Sequence, residues 1–337
     1  MPVAVCDDRN VRAAVLLLGV VACGGGDAEP RHLPGSPDAT RALAFTASGR
    51  PVAIGGTSTF GLAFLQHQDG DAWVRADRIP GFGTRALLIG GGSIGPLLAL
   101  DDTTLYQLEE ATMTWNGFTI PFGASLGTIF GTDGGGRVYG LDLSGGDGNG
   151  AVLTWMPGDT RWIELAGTRP IGAGAKQFVV ESTGRVTWFM PGAGIVRADA
   201  GTQATIVDCN ELGDCTVPFT GLSYDDRGAL TFLVCPREAP PRFAVRLASG
   251  DTVSQQHPVP SDVTVCVGLD TAPDGTTVLA GVDDSGDGPL SILGVRSTSW
   301  ERIAAASQGL TYVIRDGGAV FGYGDAQLER GIYQVEF

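Results

Sequence analysis

The chain is poor in the residues that most often read phosphate or hold metal. Only one of its 22 basic side chains is a lysine, Lys176, and 337 residues contain 3 histidines. Against 37 acidic side chains the net charge is −15, a field that repels phosphate backbones and argues against nucleic acid as a partner. His32, His67 and His257 fall in separate parts of the chain, which argues against a histidine metal cluster and against a Ser-His-Asp triad. Beyond Cys23 no apolar run approaches the roughly 20 residues that a helix needs to span a bilayer. Long apolar patterns with the period of an amphipathic helix are missing as well. The scarcity of lysine beside abundant Ala, Gly and Arg reads as the imprint of a GC-rich genome.

Glycine is abundant, with 52 residues, and proline contributes 19. Such a load can mark disorder, but 43% of the residues are hydrophobic and the mean hydropathy is positive, enough to offset the entropy of ordering. β-branched and aromatic runs of four to seven residues recur between Gly, Asp and Pro clusters, the pattern of short strands joined by turns. The expected class is all-β.

The first 26 residues form a separate unit. Arg9 and Arg12 precede an apolar run, Ala13 to Ala22, that has the length of a signal-peptide core and is too short to span. The residues Val20, Val21, Ala22 and Cys23 resemble the bacterial lipobox, and Gly24, Gly25 and Gly26 follow as a flexible linker. That resemblance implies a lipoprotein signal peptide over 1–22, acylation of Cys23 and a Gly-rich tether over 23–29. Glycine rather than aspartate after Cys23 implies, by similarity to lipoproteins of the enterobacterial type, the outer membrane. The chain is then exported and touches the membrane through its lipid anchor alone.

One unit recurs through the remainder: an apolar strand, a turn ending in glycine, a second strand, a variable loop, a third strand, a polar turn and a fourth strand. The first two strands appear as "LAFTASGRPVAIGG", "TIFGTDGGGRVYGLD", "FVVESTGRVTWFM", "LSYDDRGALTFLV", "LDTAPDGTTVLAGVD" and "TYVIRDGGAVFGYGD", with a looser copy in "ALLIGGGSIGPLLALD". The turn glycines Gly49, Gly95, Gly136, Gly184, Gly228, Gly275 and Gly318 are spaced by 46, 41, 48, 44, 47 and 43 residues. Trp73, Trp115, Trp162 and Trp300 keep the same beat, each after a polar turn at the start of a fourth strand, with separations of 42, 47 and 138. These rings are expected to cover seams between neighbouring sheets. Ala44, Ile89, Phe130, Val179, Leu222 and Val313, on the first strands, are expected in the core.

A four-stranded repeat of this length is the signature of a β-propeller blade, and the chain resembles that superfamily over 30–337. Leu43 to Pro80 is in addition weakly kelch-like, with Gly55-Gly56 closing its second strand and Trp73 opening the fourth. The resemblance implies a seven-bladed propeller with four antiparallel strands per blade. The last unit, Leu310 to Phe337, has only three strands, and "RHLPG" (31–35) resembles "DRIPG" (77–81) at the end of the first unit's outer strand. An N-terminal strand is therefore expected to complete the last blade and close the ring.

Cys6 and Cys23 lie in the leader region, leaving Cys209, Cys215, Cys235 and Cys266. An even number in an exported chain points to two disulfides, and no CxxC spacing supports a metal site. All four project to one face around the fifth unit. The favoured pairing is Cys209 with Cys215 and Cys235 with Cys266, although four cysteines allow three connectivities. "DDSGDGP" (283–289) follows the first half of a calcium loop through Asp283, Ser285, Asp287 and Gly288, but Gly294 stands where a bidentate acid belongs, so Ca2+ at Asp283 and Asp287 is a weak candidate and no other cofactor is indicated. "DLSGGDGNG" (142–150) is a similar loop in the third unit.

The reading that results is an envelope binding module, expected as a monomer. Its partner is an envelope protein or glycan, contacted on the cysteine-bearing face together with Arg237, Asp283 and Asp287. The alternative is a propeller enzyme, a hydrolase, lactonase or glycan-acting activity in the mouth of the central channel. The apolar first strands tilt against it, and no catalytic residue is assigned.

Overall fold

The structure, a computed structural model, describes residues 31–336 apart from connecting segments, the longest being 57–62, 143–148, 210–220, 235–242, 248–252, 260–264, 283–289 and 324–330; few side chains are described after residue 234. Cys23 and the leader lie outside the described residues.

The described strands form seven antiparallel sheets of four. β1 (Arg31–Leu33) stands apart from its chain neighbours. The first sheet takes β2 (Ala39–Phe45), β3 (Pro51–Gly56), β4 (Phe64–Asp69) and β5 (Ala72–Arg75). The second takes β6 (Leu87–Ile89), β7 (Leu98–Leu100), β8 (Thr104–Glu109) and β9 (Thr114–Thr119). The third takes β10 (Leu126–Thr132), β11 (Val138–Asp142), β12 (Ala151–Trp155) and β13 (Ile163–Glu164). The fourth takes β14 (Lys176–Val180), β15 (Val186–Met190), β16 (Gly194–Asp199) and β17 (Thr202–Asp208). The fifth takes β18 (Leu222–Tyr224), β19 (Leu230–Val234), β20 (Phe243–Leu247) and β21 (Val253–Pro258). The sixth takes β22 (Val265–Thr271), β23 (Thr277–Val282), β24 (Leu290–Val295) and β25 (Trp300–Ala306).

The last sheet takes β26 (Leu310–Arg315), β27 (Gly318–Tyr323) and β28 (Ile332–Glu336), and its fourth strand is β1. The β1 register pairs Arg31 with Gln334, His32 with Tyr333 and Leu33 with Ile332. The strand is held by burial as well as by its ladder: Leu33 and Ile332 are buried, and the Ile332 amide donates to Ser36 Oγ at 2.7 Å. Leu33 corresponds to Ile79 in "DRIPG", which is buried too.

Sheets meet through their first strands. β2 packs against β6, β6 against β10, β10 against β14, β14 against β18, β18 against β22, β22 against β26, and β2 also packs against β26 and β27.

The turn joining the first two strands of a sheet is the same in four sheets. In the first, the Thr46 amide donates to the Arg50 carbonyl and the Gly49 amide to the Thr46 carbonyl, both at 2.9 Å. Asp133 to Arg137, Glu181 to Arg185 and Asp225 to Ala229 repeat these two bonds. The pattern closes only if its fourth residue turns left-handed, and φ is +79° at Gly49, +80° at Gly136, +88° at Gly184 and +72° at Gly228. The periodic glycine of the sequence is thus a backbone requirement. Gly275 lies outside the described residues, and Gly318 opens β27 in extended pairing with Arg315.

The core lies in the seams between sheets. Ala42, Ala44, Val52 and Ile54 of the first sheet pack with Leu97, Ala99 and Leu108 beside the second. Trp115, which begins the outer part of β9, covers that cluster. Trp162, just before β13, covers the seam of Leu98 and Leu105 with Ile129, Val138 and Trp155. Trp73 in β5 does the same for Leu43, Phe45 and Ala53 with Leu33 and Ile332. Each of these three rings packs across the seam toward the preceding sheet, with the last sheet preceding the first. Ala44, Ile89 and Leu222 are buried; Phe130 and Val179 are half-buried against their clusters; the Val313 side chain lies outside the described residues.

Candidate functional site: two unlike faces

Because the strands are antiparallel, each sheet ends on two different surfaces. One carries the turns between its first and second and between its third and fourth strands. The other carries the loops between second and third strands and the connections to the next sheet.

On the turn-bearing face, polar groups are engaged with one another from sheet to sheet. The Glu110 carboxylate, from the outer turn of the second sheet, accepts the Ser48 amide at 2.8 Å and the Ala47 amide at 3.0 Å of the first. Burial works to raise its pKa, but these bonds from the Ser48 and Ala47 region outweigh that and hold it below the ordinary carboxylate value. Asp133 Oδ1 accepts the amides of Gly135 and Arg137, while Oδ2 accepts the Tyr139 hydroxyl at 2.9 Å. Burial first, then this bond to a carboxylate, push the Tyr139 phenol upward. The Gly134 amide donates to the Ser182 carbonyl of the fourth sheet at 2.9 Å.

Between the fourth and fifth sheets the engagement runs deeper. Glu181 forms a two-pronged ion pair with Arg185, and a Cβ at Gly228 would lie 2.4 Å from Glu181 Oε1. Behind it Thr187 and Tyr224 share a hydrogen bond of 2.7 Å, and Arg197 Nε donates to the Tyr224 hydroxyl at 3.2 Å. Burial raises the Tyr224 phenol pKa although Arg197 opposes it. Ser223 Oγ donates to Asp270 Oδ1 at 3.0 Å and accepts the Thr271 amide at 3.1 Å, linking the fifth sheet to the sixth. A shallow open depression lined by Ser48, Gly49, Arg50, Pro51, Gln68 and Gly70 marks this face at the first sheet. Nearby His67 is buried on β4, and desolvation, reinforced by Arg50 and opposed by Asp69, lowers its pKa.

The connection-bearing face is built differently. Eight residues before the turn glycine, near the opposite end of the first strand, stand Arg41, Leu87, Thr128 and Lys176 in the first four sheets, and all four are exposed. β-bulges gather at this level. Arg41 is skipped between the pairs Thr40 with Gly55 and Ala42 with Ile54; the β10 ladder shifts on either side of Thr128 and Ile129; the β14 ladder shifts just after Lys176; and Val267 is skipped in β22. Gln177, beside Lys176, has a left-handed φ of +54°. Bulges interrupt the ladder and re-aim side chains, so one level of the first strands departs from regular pairing in several sheets.

Farther out on the same face, Arg169 donates to Asp142 Oδ2 at 2.9 Å, to Glu164 Oε2 at 3.1 Å and to the Asn149 carbonyl at 2.6 Å. This guanidinium ties together the two ends of the acidic loop 142–150, so Asp142 serves an ion pair. Cys209 lies just after β17, half-buried against the cluster of Phe189, Val207 and Leu222. Cys266 is in β22, and its side chain is outside the described residues, as are Cys215, Cys235, Arg237, Asp283 and Asp287. The structure therefore does not bring the proposed ligand residues together or apart. Among the described residues, no group of three or more His, Cys, Asp or Glu side chains gathers where a metal ion could sit, and no helix is long and apolar enough to cross a membrane. Sequence reasoning missed Arg41 and Lys176; counting eight residues back from each turn glycine finds them.

The fold defines the class: a β-propeller. No protein-family model matches the sequence, and no curated protein does. Among solved structures the chain is similar to YCF48 from Cyanidioschyzon merolae, at 10% identity and a TM-score of 0.55 over 92% of this chain and 98% of that one. It is similar to YCF48 bound to a D1 peptide at 12% identity and a TM-score of 0.55, over 92% of this chain and 95% of that one. The tricorn protease matches at 12% identity and a TM-score of 0.55, over 93% of this chain but 34% of that one. These are β-propeller proteins, and the likeness is one of fold.

Proposed function

We propose that this chain is a lipid-anchored envelope lipoprotein whose propeller binds a partner on its connection-bearing face. The observation that carries the binding reading is the contrast between the two faces. Carboxylates and turn amides on one are spent on closing turns and on holding sheet to sheet, whereas the other presents exposed side chains at a level marked by repeated bulges. In this reading the seven sheets are seven blades of one closed ring, with β1 as the outer strand of the last. The pairing of β1 with β28 and the packing of β2 on β26 support it. Cys209, which is disulfide-bonded, supports cross-linking of the connection after the fourth blade, and pairing with Cys215 is the proposed arrangement. A related fold that holds a peptide gives the binding reading a precedent.

In this reading the lipobox resemblance of "VVAC" supports anchoring at Cys23, and a seven-residue tether reaching at most about 25 Å would keep the ring close to a membrane. Cys23→Ala is expected to abolish fatty-acid labelling and membrane fractionation while leaving the fold intact. Retained label on the variant overturns the anchor. For binding, the purified chain is cross-linked to intact envelope and hydrogen exchange is mapped. Protection at the β2, β10 and β14 ends carrying Arg41, Thr128 and Lys176 is expected. Protection confined to the turns at Gly49, Gly184 and Gly228 overturns the choice of face.

A further inference from the structure

The direction of β1 fixes the side of the protein from which the residues before it leave. Arg31 pairs with Gln334, Gln334 with Val320 and Val320 with Val313, whereas Leu33 pairs with Ile332, Ile332 with Gly322 and Gly322 with Thr311. β26 runs from Thr311 through Val313 to the turn after Arg315, so the Arg31 end of β1 points to the turn-bearing face and the Leu33 end to the connection-bearing one. Arg31 stands two residues short of the level of Arg315, about 7 Å. In the other direction Leu310, where β26 begins, is three residues from the Arg31 level, about 10 Å, and the connection 34–38 leaves β1 at that end. The exit point is held in place, because Leu33 is buried and Ser36 Oγ takes the Ile332 amide.

We infer that the anchored protein stands with its turn-bearing face toward the membrane and its connection-bearing face away from it, so that the partner is met in the aqueous space outside the anchoring bilayer. The inference rests on the anchor at Cys23 and on the binding reading above, and adds the orientation. Tether length carries it. Gly24 to Pro30 is seven residues, at most about 25 Å. Continued in the direction of β1, that length passes the turn-bearing face with about 18 Å to spare. To lay the connection-bearing face on lipid, the tether would have to reverse before Arg31, and a reversal takes about two to four residues. The remainder spans about 10–17 Å, which the distance to the level of Leu310 and the loops outside it consume. The surface proposed for binding is thereby kept clear of the bilayer, and the face whose carboxylates and amides are spent on turns and neighbouring sheets is the one held near it.

The test uses the mature lipidated chain in vesicles of equal parts phosphatidylcholine and phosphatidylglycerol that carry rhodamine-phosphatidylethanolamine. A donor dye is coupled through p-azidophenylalanine put singly in place of four exposed residues: Asp71 and Thr160 on the turn-bearing face, Pro34 and Lys176 on the connection-bearing one. All four are exposed, so the labelled proteins are expected to melt with the parent. Asp71 and Pro34 belong to the first sheet and its entry, Thr160 and Lys176 to the third and fourth, which separates a tilt from a choice of face. The rate of energy transfer to the lipid is expected to be at least about threefold greater from Asp71 than from Pro34, and from Thr160 than from Lys176, because strands such as the six residues of β26 hold the two faces about 20 Å apart. Inserting about twenty Gly-Ser residues between Gly26 and Asp27 is expected to erase most of that difference. Equal transfer within the pairs, which a protein lying on its edge would give, or higher transfer from Pro34 and Lys176 overturns the inference. So does a difference that the longer tether leaves unchanged. In those cases the chain still floats with the vesicles and the anchor stands; a mature chain that fails to float takes the anchor and the inference together. The hydrogen-exchange map described above tests the choice of binding face separately.

Discussion

Removing Arg185 should destabilise the protein more than removing its partner, because the two ends of this ion pair are buried to different degrees. The Glu181 side chain is 5% exposed and the Arg185 side chain 27%. Glu181 is enclosed from the far side by the Gly228 backbone of the next sheet, so a stranded carboxylate cannot turn to water. Breaking a fully buried pair by deleting one partner costs about 3–5 kcal/mol. Arg185 is partly solvated, so Arg185→Ala is expected somewhat below that range, about 2–4 kcal/mol. Glu181→Gln leaves a guanidinium that can rehydrate and an amide that still meets the turn, which points to about 1–2 kcal/mol. In Glu181→Leu/Arg185→Met no charge is stranded, and this double variant should recover most of the loss. Urea melts of the four proteins, followed by far-UV circular dichroism with the slope of the transition compared among them, give the differences. A Glu181→Gln loss equal to or above that of Arg185→Ala would refute the reasoning, and so would a double variant no better than the worse single.

Two further substitutions probe the same face. Gly228→Ala places a Cβ 2.4 Å from Glu181 Oε1 at a backbone φ of +72°, so steric and conformational costs add, and a loss of about 2–4 kcal/mol in urea melts is expected; Gly49→Ala, with open space around the new Cβ, should lose about 1–2 kcal/mol from backbone strain alone. The Glu110 carboxyl is held below its ordinary pKa in the folded protein, so its contribution is fully present above the unfolded value, near 4.5, and is lost as pH falls through the lower folded value. Melting temperatures of the parent and Glu110→Gln should therefore differ at pH 7 and converge toward pH 3, and a constant difference across that range counts against the Glu110 to Ser48 contact.

Much of the architecture is legible in the sequence because one backbone constraint recurs. The glycine at Gly49, Gly136, Gly184 and Gly228 is required by a left-handed turn residue, and a constraint repeated in four sheets writes itself as a period. The tryptophans keep that period for a different reason: Trp73, Trp115 and Trp162 each cover a seam from the same place in their sheet. The likeness of "RHLPG" to "DRIPG" carries the placement of β1, through the matching burial of Leu33 and Ile79. The candidate site is less legible. The part of Asp133 and Asp225 in closing turns emerges only when the amides of Gly135, Arg227 and Ala229 are placed in space, and that of Glu181 only when Arg185 is. Asp142 likewise reads as part of an acidic loop until Arg169, 27 residues on, is found holding it.

Arg41 and Lys176 escape notice for the opposite reason. Nothing local distinguishes them; their meaning lies in a shared distance from a turn, and the residue type at that distance changes from unit to unit. A position under a backbone constraint repeats its residue, whereas a position that meets a partner keeps its level and varies its chemistry. The seams and turns of this chain behave in the first way, with Gly and Trp returning on schedule. The row of Arg41, Leu87, Thr128 and Lys176 behaves in the second: all four are exposed and of different chemistry, and Arg41, Thr128 and Lys176 are set beside bulges that cost ladder bonds. A fold needing only stability has no use for interrupted pairing at one level of its first strands, because each bulge gives up hydrogen bonding that a regular strand would keep. That expense of stability, repeated at the same level of four first strands, is the strongest physical reason to look for the partner there.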